Sequence, residues 1–133
     1  MEKSIESFDG TRLFYIHKET NNPHTIIFLH GIGGNWTVWR KEIDFFIEKG
    51  YSIIAPDLRG HGLSDRPVEK ERYDIHHFSD DIKNILKKER VKKFSIIGHS
   101  LGGMIALNYC EISKQLPKSL VLIDTAHRFP YKT

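Results

Sequence analysis

The chain has 133 residues, 39% of them hydrophobic and 28% charged, with a formal net charge of +3 at pH 7. One domain with a buried core fits that length, and the ordinary balance of residues excludes a fibrous or disordered chain. A single cysteine, Cys110, excludes an intrachain disulfide, and no long apolar run follows the charged start Met1-Glu2-Lys3-Ser4, so neither a signal peptide nor a membrane span is expected.

A reducing, cytoplasmic setting is the resulting expectation, with Cys110 a packing residue inside a helical pattern. Ser4 to Ser7 and Arg12 to His17 read as two strands joined by a turn at Asp9-Gly10. Thr25 to Leu29 is a continuous apolar run, as in a strand buried on both faces. It leads into His30-Gly31-Ile32-Gly33-Gly34. A helix is predicted from about Trp36 to Lys49, with Trp39, Ile43, Phe46 and Ile47 on one buried stripe and Gly50 as its stop. Ser52 to Ala55 is the next buried strand, followed by a long loop from Pro56 to Pro67. Ile75, Phe78, Ile82, Ile85 and Leu86 define a second amphipathic helix, whose polar face carries Asp80, Asp81, Lys83 and Asn84. The basic run Lys87 to Lys93 reads as its solvated end, with cations at the negative pole of the helix dipole. No nucleic-acid or membrane partner is expected from it.

Phe94 to Ile97 is a strand, Leu101 to Ile112 a helix, and Leu120 to Ile123 a last strand ending at Asp124. Strands thus alternate with helices. That alternation predicts an α/β three-layer sandwich, a mostly parallel sheet of about six strands with helices on both faces, forming a single domain over residues 1–133.

Between the strand at Phe94 and the helix at Leu101 stands Gly98-His99-Ser100-Leu101-Gly102. A serine on a sharp strand-to-helix turn projects its hydroxyl above the sheet, within reach of a substrate carbonyl. Gly98 and Gly102 leave room for the tight backbone, and Ser100 is expected to be strained, a cost found at functional sites. The helix beyond aims its positive end at the serine. Ser100 is the candidate nucleophile.

On these residues the chain resembles the α/β-hydrolase superfamily. His30-Gly31-Ile32-Gly33-Gly34 matches the oxyanion loop after the third strand. Asp57-Leu58-Arg59-Gly60-His61-Gly62-Leu63-Ser64 matches the loop after the fourth, and Gly98 to Met104 the nucleophile turn after the fifth. The resemblance implies sheet order 1-2-4-3-5-6 and a truncated α/β-hydrolase fold, with the lid and strands seven and eight absent. It implies that the backbone N–H groups of Ile32 and Leu101 hold the oxyanion, and that Gly31, Ile32, Trp36 and Met104 line the substrate pocket. Trp39 belongs to the core. His30, Asp57, Arg59, His61 and His99 are read as structural, the loop residues bracing one another by an ion pair and turn hydrogen bonds. His76 and His77 are read as surface residues, and His17 and His24 show no visible partner. No cofactor is implied, and no Cys or His spacing suggests a metal site.

The implied reaction is acyl transfer to water from an ester, thioester, lactone or activated C–C carbonyl, with cofactor-free perhydrolysis a variant on the same frame. Serine at the nucleophile position argues against the dehalogenase and epoxide-hydrolase branches, which use aspartate there. The triad histidine and acid are expected outside this chain. Asp124 and His127 are minor candidates for acid and base, because they follow the strand beside the serine strand. A small-molecule acyl substrate is expected, and a complementary chain or self-association is expected to cover the open edge of strand six. The alternative is a non-catalytic or inactive hydrolase-like binding module or fragment.

Overall fold

The computed structural model describes residues 1–126. Its strands are β1 (Glu2–Glu6), β2 (Arg12–Lys18), β3 (His24–Leu29), β4 (Ser52–Pro56), β5 (Lys93–His99) and β6 (Leu120–Ile123). They form one sheet in the order β1-β2-β4-β3-β5-β6, as the resemblance implies. β1 and β2 pair antiparallel, β2 runs antiparallel to β4, and β4, β3, β5 and β6 are parallel. Parallel neighbours need crossovers, and the helices α1 (Arg40–Glu48), α2 (Ile75–Lys88) and α3 (Leu101–Ile112) supply three of them.

The period-two alternation of the strands divides the core. Ile26 and Phe28 of β3 face Trp39 and the α1 residue Ile43, together with Ile53 and Ala55 of β4. Ile27 and Leu29 face the other way, against Ile82 and Ile85 of α2 and Leu101 and Ile105 of α3. A strand sandwiched like this carries apolar residues on both faces, which is why Ile26 to Leu29 shows no polar alternation.

The first helix starts later than its apolar stripe suggests. The side chain of Asn35 accepts from the Thr37 N–H, which tightens Trp36–Trp39 into a 3₁₀ turn before α1 opens at Arg40. Asp81 is the larger correction. It lies on the polar arc of α2, yet it is buried, because a buried cation waits for it from another loop. Arg59, fully buried, donates from Nε and Nη2 to the two Asp81 oxygens at 2.7 and 2.6 Å. From Nη1 it also donates to Asp9 at 2.9 Å and to the Arg72 carbonyl at 2.8 Å. Burial alone would raise the Asp9 carboxyl, but hydrogen bonds from Arg59, Thr11 and Arg72 outweigh it and hold the group well below the usual carboxylate range.

The histidines without visible partners have them. Lys3 Nζ lies 2.8 Å from His17 Nδ1 and donates to Glu89 at 2.7 Å, tying β1, β2 and the end of α2 together. His24 Nε2 meets the Ser95 hydroxyl at 2.8 Å. His76 is exposed as expected, whereas His77 is half-buried beside Phe8, ring centroids 5.4 Å apart. Cys110 is half-buried against the α2–α3 core.

Replacing Arg59 with Met leaves Asp81 buried without a counter-charge. The expected cost is about 3–5 kcal/mol in urea unfolding of the Arg59→Met variant. A loss under about 1 kcal/mol would show that the guanidinium does not hold this corner.

Candidate active site

The carboxyl ends of β3, β4 and β5 come out on one rim of the sheet, where the three loops meet. His30, the first residue after β3, is fully buried. Its Nε2 accepts the Leu58 N–H at 3.0 Å, which leaves the ring proton on Nδ1 to be donated to the Gly31 carbonyl at 2.7 Å. In a trans peptide the C=O and the next N–H point in opposite directions, so pinning the Gly31 carbonyl also sets the Ile32 N–H. That N–H donates to no protein acceptor among the described residues. Burial pushes the His30 imidazole below its ordinary range, and the neighbouring His61 adds to this. The Gly31 carbonyl and Asp57 pull the other way without restoring it, so the neutral form that both bonds require is favoured.

Asp57 closes the second staple. Its Oδ1 accepts the Trp36 N–H at 2.8 Å and its Oδ2 the Leu63 N–H at 2.9 Å. The side chain therefore joins the loop after β3 to the loop after β4. The ion pair expected within the latter loop is instead made outward by Arg59 to Asp9 and Asp81. His61 donates from Nδ1 to the Arg59 carbonyl at 3.0 Å, and its ring stands edge-on to His30 with centroids 5.0 Å apart. These four side chains brace the loops.

Ser100 stands at φ 54° and ψ −117°, in the left-handed half of the map that a side chain rarely occupies. Its neighbours permit the turn only because they lack bulk. A Cβ on Gly98 would come within 2.7 Å of the Gly102 carbonyl carbon and oxygen. A Cβ on Gly31 would sit 3.1 Å from Ser100 Cβ and 2.9 Å from His99 Nδ1, so the loop after β3 lies directly against the serine turn. The strained residue is held through its backbone. Its N–H donates to the Ile123 carbonyl at 3.0 Å, and its own carbonyl accepts from the Thr125 hydroxyl at 2.7 Å and from the Gly103 N–H at 3.0 Å. No hydrogen bond among the described residues occupies the Ser100 hydroxyl. Leu101, the first residue of α3, has no intrahelical acceptor for its N–H.

Gly31 and Ile32 stand at this rim, Ile32 with 68% of its surface exposed. Met104 is buried one turn into α3. Trp36 is half-buried, packed against the α1 side of the core with the Arg40 guanidinium 4.9 Å over its ring. Asp124 is exposed at the end of β6 with φ 46°, beside the strand residue that holds the Ser100 N–H. His127 lies outside the described residues. Thr125 is the residue that reading the sequence missed. Its hydroxyl buttresses the serine turn across 25 positions, a separation no local pattern reveals.

A family model described as the alpha/beta hydrolase fold matches residues 24–132. Among solved structures, an esterase from Exiguobacterium antarcticum (EaEST) superposes with TM-score 0.87 at 28% identity, covering 95% of this chain and 46% of that one. Protein ABHD8 of Homo sapiens is 39% identical over 77 residues, which is 58% of this chain and 18% of the relative. Epoxide hydrolase 4 of Mus musculus is 33% identical over 118 residues, 89% of this chain and 33% of that protein. The chain spans less than half the length of each.

Burial lowers the pKa of His17, His24 and His30, so below about pH 6.5 the unfolded chain binds protons that the folded one refuses. Stability should be level above about pH 7 and fall as the pH drops through about 6.5 toward the lower folded values. His30→Asn should cost about 1–3 kcal/mol near pH 7.5 by stranding a buried partner, and should make the acid decline shallower. Urea unfolding of both proteins at about pH 7.5 and about pH 5.5 checks this. An unchanged slope in the variant would mean that His30 does not carry the effect.

Proposed function

The chain belongs to the α/β-hydrolase fold family, and from that premise we propose that it carries the nucleophile of a serine hydrolase acting on an acyl substrate. Ser100 attacks the carbonyl carbon of an ester, thioester, lactone or activated C–C carbonyl. The serine proton passes to a histidine base, and the carbonyl oxygen becomes an oxyanion held by the N–H groups of Ile32 and Leu101. Collapse expels the leaving group with that proton, and water then clears the acyl-enzyme. The observation carrying this reading is the strained Ser100 turn, with a hydroxyl that no described residue occupies and the Gly31–Ile32 loop packed against it.

A donor aimed at an oxyanion contributes about 3–4 kcal/mol, and an oxyanion hole with binding alone about 10³–10⁴ over water. Without a base the serine hydroxyl stays a weak nucleophile. The base and its acid partner come from outside this chain, and Asp124 and His127 are the weaker choices within it. A complementary chain or a second copy covers β6, whose Val121, Leu122 and Ile123 are exposed.

Chemistry favours acyl transfer over epoxide opening, whatever the relatives are named. A serine attacking an epoxide carbon forms an ether, which water cannot clear. Attack on a carbonyl forms an ester, which it can.

A fluorophosphonate probe tests the reading. The folded protein should be labelled at Ser100, Ser100→Ala should lose the label, and ester turnover should fall by about 10³-fold or more. Labelling that survives in Ser100→Ala would overturn the assignment. No label on the folded wild-type protein would support the binding-module alternative instead.

A further inference from the structure

A groove of about 780 Å³ opens between the carboxyl-terminal ends of α2 and α3. It lies at the far end of α3 from Ser100, about 18 Å along a helix of this length. Val91 and Ile112 form its apolar floor, over the buried Leu86 and Tyr109. Its rim carries Lys83, Lys87, Arg90, Lys92 and Lys114, and no carboxylate is among the residues lining it. None of these cations forms an ion pair among the described residues.

Lys87, Arg90 and Lys114 stand at the carboxyl ends of α2 and α3, where the helix dipoles favour cations, and Lys83 and Lys92 extend the same positive rim. Two acids of α2 and its end are turned elsewhere. Glu89 is committed to Lys3, and Asp81 to Arg59. The groove is also firmly framed. The Tyr109 hydroxyl donates to the Gln115 carbonyl at 2.8 Å, and Gln115 Nε2 donates to the Val91 carbonyl at 2.6 Å. Next to that clasp, Leu116 is 58% exposed and Ile112 39%.

An occupant must satisfy both the floor and the rim. A nucleic acid would neutralise the cations, but it would find no stacking platform, because Tyr109 is buried. A flat bilayer surface would touch the rim and leave the hollow unfilled. A single carboxylate would use one or two of the cations. An amphipathic helix supplies an apolar ridge for the hollow and carboxylates on its flanks for the rim. We propose that the α2–α3 groove is a docking surface for an acidic amphipathic helix of a partner protein.

The probe is a fluorescein-labelled synthetic peptide of about 18 residues, with Leu along one helical face and Glu on both flanks. Its counterpart carries Lys in place of Glu. Anisotropy titration against the full-length protein should saturate with the Glu peptide and not with the Lys peptide. Raising NaCl from about 50 to about 300 mM should weaken binding several-fold. The Lys87→Glu/Arg90→Glu variant should weaken it by about tenfold or more. The single Lys114→Glu variant serves if the double one does not fold, and Ile112→Asn tests the floor. Lys41→Glu on α1 should change nothing.

Equal binding of both peptides, no saturation, or indifference to charge reversal would overturn the proposal. Tighter salt-dependent binding to vesicles of phosphatidylcholine and phosphatidylserine, or to a DNA duplex, would overturn it in favour of that partner. The readout does not involve Ser100, so it stands apart from the hydrolase reading.

Discussion

Two buried side chains, His30 and Asp57, hold the rim on which the proposed chemistry depends. Each reaches from one loop to the next and spends its hydrogen-bonding capacity on their backbone groups, those held by His30 being buried away from water. An unpaired buried group costs more than a typical pair contributes, so a loop held in this way has one arrangement rather than several. That single arrangement brings Gly31 against the Ser100 turn and fixes the peptide that presents the Ile32 N–H. The strain at Ser100 can persist because β6 and α3 hold its backbone from both sides.

The loop after β4 needs its own anchor, and Arg59 provides it at a distance from the site. A guanidinium taken wholly out of water is unfavourable unless every donor finds a partner. Here Asp81, Asp9 and the Arg72 carbonyl take them. The β1–β2 turn, the β4 loop and α2 are thereby joined at one point. The His30 and Asp57 staples, which hang on that loop, inherit its position.

Much of this was legible in the chain. Apolar runs marked the doubly covered strands β3 and β4, and helical spacing marked α2 and its buried face. Gly98-His99-Ser100-Leu101-Gly102 marked the turn, because only small flanking residues tolerate it. What stayed hidden was pairing between distant positions. Asp81 follows the polar arc of its helix and gives no local sign that a guanidinium 22 positions earlier will bury it. Lys3 and Glu89 meet across 86 positions, with His17 beside them. Such contacts depend on which strands become neighbours, and residue patterns along one element do not encode that. The 3₁₀ turn before α1 was missed for a smaller reason, since one asparagine side chain outbid the helical periodicity that follows it.

The central claim is that Ser100, held in this strained turn, accepts an acyl group. The direct measurement is mass spectrometry of the full-length protein quenched in acid shortly after mixing with p-nitrophenyl butyrate, followed by peptide mapping. One added butyryl group is expected, on the peptide bearing Ser100. A folded protein that gains no butyryl group, or gains it only on lysine or tyrosine side chains, would contradict it.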